Sequence, residues 1–389
     1  MKRQTVLWGV AAVMIGSAAV RAQEALQVVA RDPDGQGLLG QVNGKRVLIV
    51  SGTPEQMGRA HGRLLAELVP NVMPRTMALV GAGLAVQKGD WFYDRIDEIY
   101  RRAAPHTPER FLRECRAMAA AAGITERAAI GGNFFPELFH CSGVAVRNSA
   151  SADGRVVHAR VLDYMRDIHL QNYTVLQVFV PEGGIPWMSV GYAGFLGTVT
   201  AMNVKGLAIG EMGGKGEGDW DGMPMTFLMR EIAERAETVE QALAILRAVP
   251  RTCEYYYVIS DASRNMAGVY ATPGAVQVLE PGQQDERLPT VPKDTVMFSA
   301  GGRAKALSER LHARFGTITP EVMIAIIKRP VSMRSNLHNA VFMPETLDMW
   351  FADAGKKTPA CDEPYTRVNL RALLDFYARQ RAPEYGRFW

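Results

Sequence analysis

The chain has 389 residues, 48% of them hydrophobic and 22% charged, with 44 basic against 40 acidic side chains and a formal net charge of +4. Apolar content this high with so little net charge excludes a disordered or nucleic-acid-coating chain. Thirty-seven glycines and 21 prolines without a fixed repeat exclude collagen-like and low-complexity architectures, and four cysteines are too few for a disulfide framework.

Lys2 and Arg3 open the chain, an apolar run extends from Val6 to Val20, and Val20-Arg21-Ala22 offers a small-residue cleavage site. This pattern predicts a signal peptide over residues 1–22. The run is shorter than the roughly 20 residues a membrane span needs. The expectation is a secreted or periplasmic protein with no stable membrane anchor.

From about residue 53 to 130 the pattern is helical. Thr53-Pro54-Glu55 supplies an N-cap, a proline in the first turn and an acidic start, ahead of Met57, Leu64, Leu65 and Leu68. Thr107-Pro108-Glu109 repeats the device before Phe111, Leu112, Cys115 and Met118. After residue 141 the texture changes to strands, expected over 156–164, 173–180, 187–192, 197–202, 207–211, 255–261, 268–271, 275–279, 337–343 and 347–352. Helices are expected over 227–235 and over 239–248, the second opened by the capping box Thr238-Val-Glu-Gln241, and Thr319-Pro320-Glu321 opens another. These elements predict an α+β fold with sheets packed between helical layers. The run Gly213-Gly-Lys-Gly-Glu-Gly218 lacks the spacing of a phosphate-binding loop and reads as a loop at the rim of a pocket.

No H-E-x-x-H, C-x-x-C, G-x-S-x-G or S-x-x-K motif is present, and the seven histidines lack metal-ligand spacing. Neither a metal nor a cofactor is expected. What remains is Cys141, in Phe-His140-Cys141-Ser142-Gly143, where helical texture gives way to strands, with Arg160 and Asp163 following in step. A thiol nucleophile needs a base, and an N-terminal cysteine carries one in its own α-amino group, whose unperturbed pKa is ~8. A carboxylate then orients the amine, and a guanidinium fixes the carboxylate or the substrate. Asp163 and Arg160 are the types for those roles.

The segment His140-Cys-Ser-Gly-Val-Ala-Val146 followed by Ala159-Arg-Val-Leu-Asp-Tyr164 resembles the N-terminal nucleophile cysteine hydrolases. It is distantly similar to the choloylglycine hydrolases and more similar to the acyl-coenzyme A:6-aminopenicillanate acyltransferase branch. Gly58-Arg-Ala-His-Gly62, Asn203-Val-Lys-Gly206-Leu207, Gly222-Met-Pro224, Ala242–Leu246 and Ser260-Asp261 follow that branch in order. The resemblance implies a four-layer αββα sandwich preceded by a helical pro-segment. It implies a precursor cut between His140 and Cys141 into a light fragment, 23–140, and a heavy fragment, 141–389, that stay associated. It further implies a small-molecule acyl amide or ester as substrate.

The oxyanion hole departs from the family. Glu211-Met212-Gly213 and Phe298-Ser299-Ala300 stand where choloylglycine hydrolases carry asparagines. Losing one such donor costs roughly 3 kcal/mol. Ser299, Asn336 and Asn339 are the candidate replacements, while Glu211 either binds a cationic or amine part of the substrate or points into water. His140 either assists the cut or simply precedes it. His338 either lines the pocket or is a hydrogen-bonded core residue. Cys253 and Cys361 are left as a possible pair. Two functions fit: an exported self-cleaving hydrolase or acyltransferase, with lipid amidase and phospholipase B-like variants of the same logic, or a non-catalytic sandwich that binds a ligand.

Overall fold

The computed structural model describes residues 20–21, 25–88, 92–134, 141–164, 166–216 and 218–381. Most of the expected signal peptide, and His140 with the expected cut, lie outside the described residues. The chain begins with strands β1 (Val20–Arg21), β2 (Gln27–Arg31), β3 (Gly37–Val42) and β4 (Lys45–Gly52). Five helices follow: α1 (Pro54–Leu64), α2 (Val69–Lys88), α3 (Phe92–Ala103), α4 (Glu109–Ala122) and α5 (Glu126–Phe134). Six strands come next: β5 (Ser142–Asn148), β6 (Gly154–Asp163), β7 (Thr174–Pro181), β8 (Trp187–Tyr192), β9 (Thr200–Asn203) and β10 (Ala208–Gly213). Helices α6 (Met225–Arg235) and α7 (Val239–Ala248) lead into β11 (Tyr255–Ser260), β12 (Met266–Ala271), β13 (Val276–Leu279) and β14 (Thr295–Phe298). The chain continues through α8 (Gly301–Ala313), α9 (Pro320–Ile326), β15 (Asn336–Met343), β16 (Asp348–Asp353), β17 (Tyr365–Asn369) and α10 (Leu370–Gln380).

The strands form two sheets, a seven-stranded one in the order β1-β17-β16-β15-β6-β5-β14 and a ten-stranded one in the order β13-β12-β11-β10-β9-β8-β7-β4-β3-β2. Alternation of side chains along each strand gives every sheet two apolar faces. Val47, Ile49, Leu176 and Val178 of the larger sheet meet Ala340, Phe342, Met349 and Phe351 of the smaller. On its other face the smaller sheet packs Val144, Val157, Val161 and Val341 against Leu307 and Leu311 of α8 and Met323 and Ile324 of α9. The larger sheet packs Leu48, Val50 and Phe179 against Met57, Phe111, Phe227 and Leu246 from α1, α4, α6 and α7. The fold is therefore an α+β sandwich of helices, sheet, sheet and helices.

Thr53 forms a capping box with Gln56, and the Thr238 hydroxyl accepts from the Gln241 amide at 3.3 Å. Thr107 behaves differently. Its hydroxyl donates to the Ala103 carbonyl at 2.9 Å, closing the end of α3, and α4 starts after Pro108 without a side-chain cap. Gly58 and Gly62 let α1 lie directly on α4: a Cβ at Gly58 would sit 2.4 Å from the Glu114 carbonyl oxygen, and one at Gly62 2.5 Å from that of Met118. The segment before residue 141 also supplies strands, because β4 joins β7 in parallel within the larger sheet. Among the described residues no helix is long and apolar enough to cross a membrane.

Candidate active site

Strand register assembles the site at one end of the smaller sheet. Ser142 lies opposite Val161 and Gly143 opposite Arg160, while Asn336 lies opposite Asp163 and Phe298 opposite Gly143. The starts of β5 and β15 thus meet the ends of β6 and β14, and Cys141, Asp163, Ser299 and Asn336 come to one edge. Cys141 is buried, 5% exposed, in the cluster that holds Ala145, Leu162 and Met212.

Alternation divides the two charged candidates between the faces of the sheet. Arg160 turns inward, toward the larger sheet. Its stem crosses β10 where Gly210 has no side chain; a Cβ there would lie 2.5 Å from the Arg160 Cγ. The guanidinium Nη2 reaches Glu211 Oε2 at 3.2 Å, and both side chains are fully buried. Glu211 therefore does not point into water, and its charge is matched by Arg160. Burying either group alone would be costly, so each makes the other's position tenable.

Asp163 turns toward α8. Its Oδ2 pairs with Arg303, and its Oδ1 accepts from the Met333 amide at 2.9 Å. Burial pushes this carboxyl above the usual carboxylate range, and Arg303 is the strongest influence opposing that shift. Arg303 also donates from Nη2 to Ser142 Oγ at 2.9 Å, and Ser142 Oγ lies 2.7 Å from Ser299 Oγ. The edge beside Cys141 thus carries two ion pairs, Arg160–Glu211 on the inner face and Asp163–Arg303 on the outer. Neither is a surface pair.

The remaining candidates fall into place around these pairs. Asn336 donates from Nδ2 to the Leu162 carbonyl at 3.0 Å and to Asn339 Oδ1 at 2.8 Å, and its Oδ1 accepts from the Cys361 amide at 2.8 Å. Asn339 donates to the Tyr365 hydroxyl at 2.8 Å. These amides knit β6, β15 and β17 together, and the hydrogens of Asn336 go to protein acceptors rather than to an oxyanion. His338 is a core histidine, with Nδ1 2.9 Å from the Tyr192 hydroxyl and Nε2 2.9 Å from Thr200 Oγ1. Burial and the nearby Arg160 charge hold its pKa well below the usual imidazole value, so it is neutral. Ser299 is half-buried and keeps its place beside Ser142.

All four cysteines are buried thiols outside any disulfide, so Cys253 and Cys361 are not joined. Burial pushes the Cys115 thiol up and carries that of Cys361 to about 11, the opposite of what a reactive thiol needs. Among the described residues no cluster of three His, Cys, Asp or Glu is placed to hold a metal ion. Arg303 is absent from the sequence-level candidates. Its helix starts at Gly301-Gly302, residues that read as a turn, and no motif spacing ties it to Cys141.

Residues 151–284 match the family described as acyl-coenzyme A:6-aminopenicillanic acid acyl-transferase. Over these residues, about a third of the chain, it is similar to that acyltransferase family. The matched segment holds Arg160, Asp163 and Glu211 and begins after Cys141. The chain is 26% identical to protein dcd1B of Dictyostelium discoideum over 57% of its own length and 49% of that protein's. It is 26% identical to the N-acylethanolamine-hydrolyzing acid amidase of Rattus norvegicus over 47% of its own length and 54% of the amidase. The chain thus spans about half the length of the curated relatives it matches. Among solved structures, the Caenorhabditis elegans ortholog of that amidase aligns at 16% identity and a TM-score of 0.43, over 53% of this chain and 93% of that one. Penicillin V acylase from Agrobacterium tumefaciens aligns at 17% identity and a TM-score of 0.39, over 55% and 83%.

Proposed function

We propose that the protein is an exported, self-cleaving cysteine hydrolase or acyltransferase that opens an amide or ester of an acyl group through a thioester on Cys141. The observation that carries this reading is the placement of Cys141 at the start of β5, flanked by the buried Arg160–Glu211 and Asp163–Arg303 pairs. The match of residues 151–284 to the acyltransferase family and the likeness to an amidase that hydrolyses N-acylethanolamines support an acyl amide as the bond attacked.

Cleavage before Cys141 frees its α-amino group, which removes the thiol proton as sulfur attacks the acyl carbonyl. The tetrahedral intermediate collapses, the C–N or C–O bond breaks, and the α-ammonium returns the proton to the departing amine or alcohol. Water or a second amine then attacks the thioester and carries the acyl group away. Asp163 orients the α-amino group, and the Arg160–Glu211 pair fixes the charge of the inner wall. Ser299 is the candidate hydroxyl donor to the oxyanion. The light fragment, 23–140, remains attached to the heavy one, 141–389, because its helices and strands share their core.

The test is the denatured mass of protein purified from its natural compartment. Two fragments are expected, the heavier beginning at Cys141, whereas Cys141→Ala is expected to remain a single chain. An active wild-type protein that runs as one uncut chain would overturn self-cleavage.

A further inference from the structure

Strand β6 joins the candidate active site to a second, open pocket. Its last residue, Asp163, stands at the Cys141 edge, while Val157 near its start lies on the floor of a pocket of about 280 Å³. The two residues share the outer face of the strand and are separated by about 20 Å, six residues at the rise of a β-strand. Met343 and Trp350 of the β15–β16 hairpin complete the floor, and Ile318 and Pro320 line one side where the chain enters α9.

The rim is charged but carries no positive surplus. Asp348 accepts from Arg367 Nε at 3.1 Å and Nη2 at 3.0 Å, and the guanidinium carbon lies 5.1 Å from the centre of the Trp350 ring. Asp153 accepts from Arg155 Nε at 2.8 Å and from its Nη2. Glu321 accepts from the Thr319 hydroxyl at 2.9 Å. Three carboxylates thus stand with two guanidinium groups around the opening. Among the described residues no protein oxygen takes the Nη1 of Arg155 or of Arg367, and the buried Trp350 Nε1 has no acceptor.

We propose that this pocket is a second binding place, apart from Cys141, for an uncharged acyl amide or ester. The apolar floor takes the acyl chain, and the carbonyl oxygen accepts from the Nη1 of Arg367 or Arg155. A carboxylate head would meet three carboxylates whose guanidinium partners are already matched. An ammonium head would have to displace a guanidinium from Asp153 or Asp348. A neutral acceptor costs neither. The ligand would rest against β6 and β15, whose opposite ends carry Asp163 and Asn336. The pocket shares no residue with the candidate active site, so the proposal stands whether or not Cys141 is the nucleophile.

The experiment photolabels the wild-type protein with octanamide carrying a diazirine on its chain, checked by mass to be intact, and maps the label by peptide mass. Ala152 is exposed at the opening, so Ala152→Trp closes the pocket without crowding its floor. Label is expected on peptides that span 152–157, 318–321 or 343–350. It is expected to be lost in Ala152→Trp, reduced in Arg367→Met, and displaced by plain octanamide but not by octanoate. Label confined to peptides around Cys141, or pocket label that persists in a folded Ala152→Trp, would overturn the inference. Displacement by octanoate as complete as by octanamide would overturn it too. Melting curves check folding, and if Ala152→Trp does not fold, undiminished label in Arg367→Met overturns it in the same way.

Discussion

Glu211 places a carboxylate in the inner wall of the site, and its surroundings explain how the site tolerates that charge. Gly210 opens the surface of β10, the Arg160 stem lies in the opening, and its guanidinium meets the carboxylate with no water-exposed face on either group. Glu211→Leu leaves that guanidinium without its carboxylate and is expected to cost about 3–5 kcal/mol of stability. The double change Arg160→Met with Glu211→Leu is expected to regain most of the stability but not the turnover. Denaturation midpoints and rates for the two singles and the double check this, and additive losses would contradict the coupling. Order and spacing single out Cys141, Arg160 and Asp163 in the sequence, and strand register brings them near one another. Their true partners were not legible there. Which face of β6 each occupies follows from parity, but the residue across the gap belongs to a different sheet or helix, and no sequence pattern names it.

Helix starts were readable where a hydroxyl precedes a proline or an acidic turn, as at Thr53 and Thr319, and unreadable where the same residues serve a neighbour, as at Thr107. Most strands after residue 141 were legible as bounded apolar runs, but β5, β14 and β17 were not among those expected. Residues 27–52 were not legible either, because β4 is buried on both faces and its Val47-Leu-Ile-Val50 shows no alternation. Helix α8 hides behind Gly301-Gly302. The α1–α4 contact depends on the missing side chains of Gly58 and Gly62. Gly62→Val drives a branched side chain against the Met118 carbonyl and is expected to cost about 1–3 kcal/mol. A thermal midpoint equal to wild type would show that α1 can move aside.

At the scale of the molecule, the residues before Cys141 are woven into the strands and helices after it. Strand β4 pairs with β7. Asn133 accepts from the Leu196 and Gly197 amides at 2.7 and 3.1 Å and donates to the Gly194 carbonyl at 3.0 Å. His61 Nε2 accepts from the Gly194 amide at 2.9 Å, and burial lowers its pKa to about 3, so it stays an acceptor through the ordinary pH range. Glu114 on α4 meets Arg230 on α6 at 2.6 Å with both side chains buried. The loop these groups hold, 193–199, connects Tyr192 to Thr200, the two partners of His338. A cut before Cys141 would leave all of these contacts in place. The most direct test of the central claim is to mix the protein with an acyl amide, quench in acid and map the acyl group by peptide mass. The expected result is an acyl group, released by hydroxylamine as a thioester is, on a peptide that begins at Cys141. An acyl group on another residue, or turnover that survives Cys141→Ala, would contradict it.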